Sequence, residues 1–146
     1  MALCLDYPVF LLGADELVAF PTWTRPDRVL ELARSGADVK AVVSNHGILK
    51  TANPAEPDAV RAHVAVYTGA CDPFVPRNDV EAFRAEMIAA QARWQITEFG
   101  GAFHAFTDPD ADRQDISGLA YDRIADRISW AGTEALLAEL LGSSQD

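Results

Sequence analysis

Residues 63–76 run H-V-A-V-Y-T-G-A-C-D-P-F-V-P. The first six are β-branched, aromatic or small, and they mark a strand over His63–Thr68. Gly69 ends it and permits a sharp turn, and Pro73 and Pro76 stiffen the loop that carries Asp72. Two segments of the same kind flank this one. Val39–Ser44 (V-K-A-V-V-S) precedes it and leaves through the turn-like Asn45, His46 and Gly47. Trp94–Phe99 (W-Q-I-T-E-F) follows it and stops at Gly100 and Gly101.

Helix-periodic segments separate these strands. Asn78–Gln91 has a capping-box pattern in Asn78 and Glu81, and Val80, Phe83, Met87 and Ile88 recur on one face. A last helix is expected over Tyr121–Leu141, with Tyr121, Ile124, Ala125, Ile128, Ala135, Leu136 and Leu140 as its buried stripe and Gly142 at its end. A shorter helix is expected from about Asp27 to Ser35, capped by Gly36. Strands and helices alternating with connections of this length predict an α/β fold with a mostly parallel sheet joined by right-handed crossovers.

The first 28 residues are irregular. Tyr7–Leu12 is a strand candidate ended by Gly13, and Phe20–Arg28 holds Pro21 and Pro26, which disfavour a helix or a central strand. Residues 143–146 are expected to fray. No repeat of 20–50 residues appears.

The 146 residues suit one domain, with 49% apolar and 23% charged residues. Twelve Lys and Arg against 22 Asp and Glu give a net charge of −10, which repels phosphate backbones and argues against a nucleic-acid partner. No apolar run reaches the roughly 18–20 residues of a membrane span. Met1–Leu12 lacks a basic region and carries Asp6, which argues against a signal peptide. Cys4 and Cys71 lack C-x-x-C spacing, as free thiols in a reducing compartment do, so a cytoplasmic location is expected. Trp23, Trp94 and Trp130 are expected in or beside the core.

Parallel sheets gather functional groups just past the carboxyl ends of their strands. His46, Asp72 and His104 occupy that position after the three strands. Asp72 has two readings, a carboxylate positioned for chemistry or an Asp-Pro turn cap. His104, in F-G-G-A-F-H-A-F, is either a general base or a partly buried His bonded to backbone. Phe103 and Phe106 are expected to give it a water-poor wall. Taken together, the two residues favour a hydrolase pair, Asp72 fixing the tautomer of His104 through a hydrogen bond of about 2.7–3.2 Å. Residues 1–71 contain no G-x-S-x-G or G-x-C-x-G elbow for a nucleophile. Cys4 has no flanking glycine, and Cys71 adjoins Asp72, so both are read as structural or incidental.

Other constellations fail. D-P-D-A-D at Asp108–Asp112 opens like a calcium loop, but Arg113 replaces its glycine and Leu119 its glutamate, so a solvated acidic loop is expected. Three scattered histidines have no zinc spacing, and no Lys-Ser/Thr follows Gly100 and Gly101 as in a phosphate loop. No metal or cofactor is expected.

From about Val29 to Gly142 the chain resembles the dienelactone hydrolase family of α/β-hydrolases. The matching stretches are L-E-L-A-R-S-G-A-D at 30–38, V-V-S-N-H-G at 42–47, G-A-C-D-P-F-V-P at 69–76, E-F-G-G-A-F-H-A-F-T at 98–107 and A-Y-D-R-I-A-D-R-I-S-W at 120–130. The resemblance implies a three-layer α/β/α sandwich and a Cys-Asp-His triad acting on lactones or other carboxylic esters. It makes Asp72 the triad acid and His104 the triad histidine. The family's G-x-C-x-G elbow is replaced by P-T-W-T-R-P at 21–26. The expectation is therefore the C-terminal half of such a domain over residues 29–142, truncated, preceded by an atypical segment at 1–28 and inactive without a nucleophile from another chain. The alternative is a non-catalytic small-ligand-binding or interaction module on the same sheet. Three strands alone would leave an open edge and favour self-association.

Overall fold

The computed structural model describes residues 28–142 and, ahead of them, the short strands at 9–11 and 17–19. In chain order the elements are β1 (Val9–Leu11), β2 (Leu17–Ala19), α1 (Arg28–Arg34), β3 (Ala41–Asn45), β4 (His63–Gly69), α2 (Arg77–Ala89), β5 (Arg93–Phe99) and α3 (Arg123–Leu141). A single 3₁₀ turn at Ala111–Arg113 lies between β5 and α3.

The five strands stand in sequence order, with β1 antiparallel to β2 and all other pairs parallel. β3, β4 and β5 start level, since Ala41 pairs with His63 and His63 with Arg93. Every residue of β3 is buried, as a strand covered on both faces must be. On one face Val42, Val64 and Val66 pack with Val29, Leu30 and Ala33 of α1 and Val80, Phe83 and Met87 of α2. On the other, Val43, Ala65 and Tyr67 pack with Ala125 and Leu136 of α3 and with Ala102 and Phe106. The result is the expected three-layer, mostly parallel α/β/α fold.

Several local expectations are corrected. The β3 edge is not open: β2, which the sequence did not announce, pairs with it at Val18–Ala41 and Ala19–Val42. Of the expected strand Tyr7–Leu12, Val9–Leu11 forms β1 and the remaining residues lie outside the described ones. Trp23, Cys4 and the tail 143–146 also lie outside them. α2 begins at Arg77 after Pro76, and Asn78 makes no cap. Ile88 is 67% exposed, because the inner face of α2 is filled by Val80, Phe83 and Met87.

The phase of α3 differs more. Ile124 and Ile128 face outward, Trp130 is half exposed, and the buried stripe is Ala125, Ser129, Thr133 and Leu136. Small side chains let the helix approach closely: a Cβ on Gly132 would stand 2.4 Å from the Tyr67 hydroxyl. The buried hydroxyls cost little because each donates back to its own helix, Ser129 to the Asp126 carbonyl and Thr133 to the Ser129 carbonyl, both at 2.8 Å. Asp122 caps the helix, accepting from the N–H groups of Ile124 and Ala125. No helix among the described residues is long and apolar enough to cross a membrane.

A buried ion pair ties α1 to α2. The Arg34 guanidinium donates through Nε and Nη2 to both carboxylate oxygens of Glu86 at 2.8 Å, to the Leu49 carbonyl at 2.8 Å and to Glu31 at 2.7 Å. Glu86 also accepts from the Ala55 N–H, so the pair pins the loop after β3. Burial disfavours charge on both groups. The paired hydrogen bonds outweigh it, raising the Arg34 pKa and lowering that of Glu86. Truncating one partner strands the other charge. Glu86→Ala, which keeps helix propensity high, is expected to cost about 3–5 kcal/mol in denaturant unfolding.

Candidate active site

His46, Asp72 and His104 all emerge beyond the carboxyl ends of β3, β4 and β5. The β4 exit is fixed by backbone. Ala70 N–H bonds to the Phe99 carbonyl and Cys71 N–H to the Ala102 carbonyl, joining it to the β5 exit. Gly69 is required by that approach, since a Cβ there would lie 2.2 Å from the Ala102 oxygen.

Asp72 is 4% exposed, and its two oxygens do different work. Oδ1 accepts from the Phe74 N–H at 2.8 Å, closing the turn through Pro73. Oδ2 accepts from Nδ1 of His104 at 2.8 Å. The turn-capping and imidazole-orienting readings thus hold together, one on each oxygen. An ionised carboxylate only accepts, so Nδ1 donates in this bond, and in the neutral ring Nε2 is the nitrogen with the lone pair.

His104 is held by backbone on a neighbouring segment. Its N–H bonds to the Gly118 carbonyl and its carbonyl accepts from Ala120, forming a one-residue parallel bridge to Leu119. Gly118, at φ +95°, packs on the Asp72 loop; a Cβ there would lie 2.4 Å from Pro73. The expected wall of Phe103 and Phe106 is corrected. Phe103 is 40% exposed, and the rings against His104 are Phe74 at 5.1 Å and His46 at 5.2 Å, both edge-on. Phe106 is fully buried and meets His46 instead.

His46 leaves β3 in the left-handed region, at φ +45°. Its N–H continues the parallel ladder to the Tyr67 carbonyl, and its Nε2 is 2.9 Å from Thr107 Oγ1. The imidazole therefore fastens the His104 loop to the β3 exit. Burial, then the His104 charge, pushes its pKa down to about 4, so it is neutral at pH 7 and does not repel a protonated His104. Thr107 and Phe74 were not identified from the sequence. Phe74 had a signal, being the second residue after an Asp-Pro turn carboxylate; Thr107 had none.

Cys71, the cysteine among the described residues, is not directed at His104. The exposed Cys71 thiol donates to the Gly100 carbonyl at 3.6 Å, and no hydroxyl or thiol of a described residue is hydrogen-bonded to Nε2 of His104. Asp108 is buried rather than solvated, accepting from the Asp110 N–H and the Gln114 amide at 2.8 Å each. The described residues contain no cluster of three metal-ligating side chains.

The model of the dienelactone hydrolase family matches residues 27–141. This chain belongs to that family. An uncharacterised protein of Caenorhabditis elegans is 33% identical over 112 residues, which are 75% of this chain and 71% of the relative. The solved structure named m3DLH is 37% identical with a TM-score of 0.81, and covers 88% of this chain. A dienelactone hydrolase-like promiscuous phosphotriesterase from metagenomic libraries is 34% identical with a TM-score of 0.79, also over 88% of this chain. The chain spans 53% and 54% of those two structures, about half their length. The dienelactone hydrolase fold thus frames the Asp72–His104 pair.

The depressed pKa of His46 carries a pH signature. Between its folded value of about 4 and its ordinary 6.5, the unfolded chain binds the extra proton. This contribution is therefore complete above pH 6.5 and is lost progressively as pH falls toward 4. His46→Asn, which tolerates left-handed backbone, should flatten that part of the profile when denaturation midpoints are compared from pH 7.5 to 5.

Proposed function

We propose that the chain carries the acid–base half of a hydrolase acting on carboxylic esters or lactones, with Asp72 orienting His104 and His104 as general base. The supporting observation is the 2.8 Å bond between Nδ1 and a fully buried carboxylate oxygen, with the opposite ring nitrogen left to accept a proton. In this reading Nε2 takes the proton of a hydroxyl, thiol or water as it attacks the ester carbonyl. Asp72 stabilises the imidazolium, which then returns the proton to the leaving alkoxide. Any acyl intermediate is released by water activated at the same nitrogen.

In this reading the attacking group comes from outside the described residues packed at this site. The family's elbow is replaced by P-T-W-T-R-P, and Cys71 is directed to Gly100. A second chain is the proposed source. The lack of C-x-x-C spacing between Cys4 and Cys71 supports a reducing compartment, the cytoplasm, as the setting of this reading.

An added small thiol tests this arrangement. Hydrolysis of p-nitrophenyl acetate by the chain alone should stay near background. With 2-mercaptoethanol the cleavage should accelerate, saturate with ester and vanish in His104→Gln. Asp72→Asn should lose about 10²-fold or more, and Cys71→Ser should change nothing. An aryl phosphotriester in parallel defines the electrophile. Ester binding with no turnover under either condition would favour the ligand-binding module, and thiol-independent turnover lost in Cys71→Ser would name a different nucleophile.

A further inference from the structure

The opposite end of the sheet carries a cavity of about 490 Å³, lined by Asp38, Val39, Lys40, Arg61, Arg93 and Leu140. It lies at the amino ends of β3, β4 and β5, where Ala41, His63 and Arg93 are in register and the His63 N–H bonds to the Lys40 carbonyl. Seven residues of β4 separate it from the His104 end, about 20 Å at a strand's rise. The hydrolytic residues are therefore out of reach.

Its charge is opposite to that of the molecule. The chain has 12 cationic side chains and a net charge of −10, yet three of the cations gather here against one carboxylate. That carboxylate neutralises little. Asp38 stands 4.0 Å from Arg61 and both are largely exposed. Arg93 spends one donor on the Arg61 backbone carbonyl, at 3.2 Å, which ties its guanidinium to the segment that carries Arg61. Burial and then the Arg93 charge depress the pKa of the adjoining His63, which registers the local positive potential.

We propose that this cavity binds a small multivalent anion, carrying phosphate or several carboxylates, through Lys40, Arg61 and Arg93. Guanidinium forks take both anions in bidentate fashion, and a concave site concentrates the field of three converging cations.

The test is calorimetry and amide NMR with pyrophosphate and with citrate, at low ionic strength. Saturable one-to-one binding is expected, with shifts centred on Lys40, Arg61 and Arg93 and the His104 imidazole unmoved. Arg61→Gln and Lys40→Gln, both at exposed positions, should each weaken binding about tenfold, and Asp38→Asn should tighten it. Raising salt to about 0.15 M should weaken it further. Tighter pyrophosphate binding assigns a phosphate ligand and tighter citrate binding a polycarboxylate; either supports the proposal. Absence of saturable binding, affinity unchanged in both variants, or self-association in place of ligand binding overturns it.

Discussion

Asp72 is a carboxylate taken almost entirely out of water, which a protein tolerates only when the oxygens are satisfied. Both are, by the Phe74 N–H and by Nδ1 of His104. Bonds to a charged acceptor are about twice as strong as neutral ones, so this carboxylate binds its loop and its imidazole into one unit. The constraint runs backward through the fold. Asp72 meets His104 only because β4 and β5 are parallel and level, because Gly69 lets their exits touch, and because Gly118 lets the next segment close over Pro73.

The same logic divides the molecule into two ends. Beyond the carboxyl ends of the strands a hydrogen-bonded group is assembled, with His46 fastened to Thr107, Asp72 to His104, and Phe74 edge-on to the imidazole. At the amino ends the charges are exposed, three cations beside one carboxylate. Between them, two apolar clusters hold the layers, and the Arg34–Glu86 pair locks α1 to α2 on one face only. Family membership covers this whole frame, residues 27–141, while the related solved structures are about twice as long.

Much of this was legible in the sequence where the signal was local. Runs of β-branched and aromatic residues leading into glycine-containing turns mark β3, β4 and β5 to within two residues, and placement after those strands singles out His46, Asp72 and His104. What the sequence hid depends on distance. β2 is three residues long and holds by pairing rather than by pattern. Apolar periodicity puts Ile124 and Ile128 on the inner face of α3, whereas close approach to Tyr67 selects small residues whose hydroxyls satisfy themselves. Arg34 and Glu86 are 52 positions apart, and nothing near either announces the other. Phe103 adjoins His104 in sequence yet points outward, while Phe74 reaches the ring across the turn that Asp72 itself closes.

The central claim is that the buried carboxylate fixes the tautomer of His104. Long-range ¹H–¹⁵N NMR of the imidazole near pH 8 reads this directly. The account predicts a proton on Nδ1, shifted downfield by the Asp72 bond, with Nε2 unprotonated, and loss of that preference in Asp72→Ala. A ring protonated on Nε2 in the unaltered chain would contradict it.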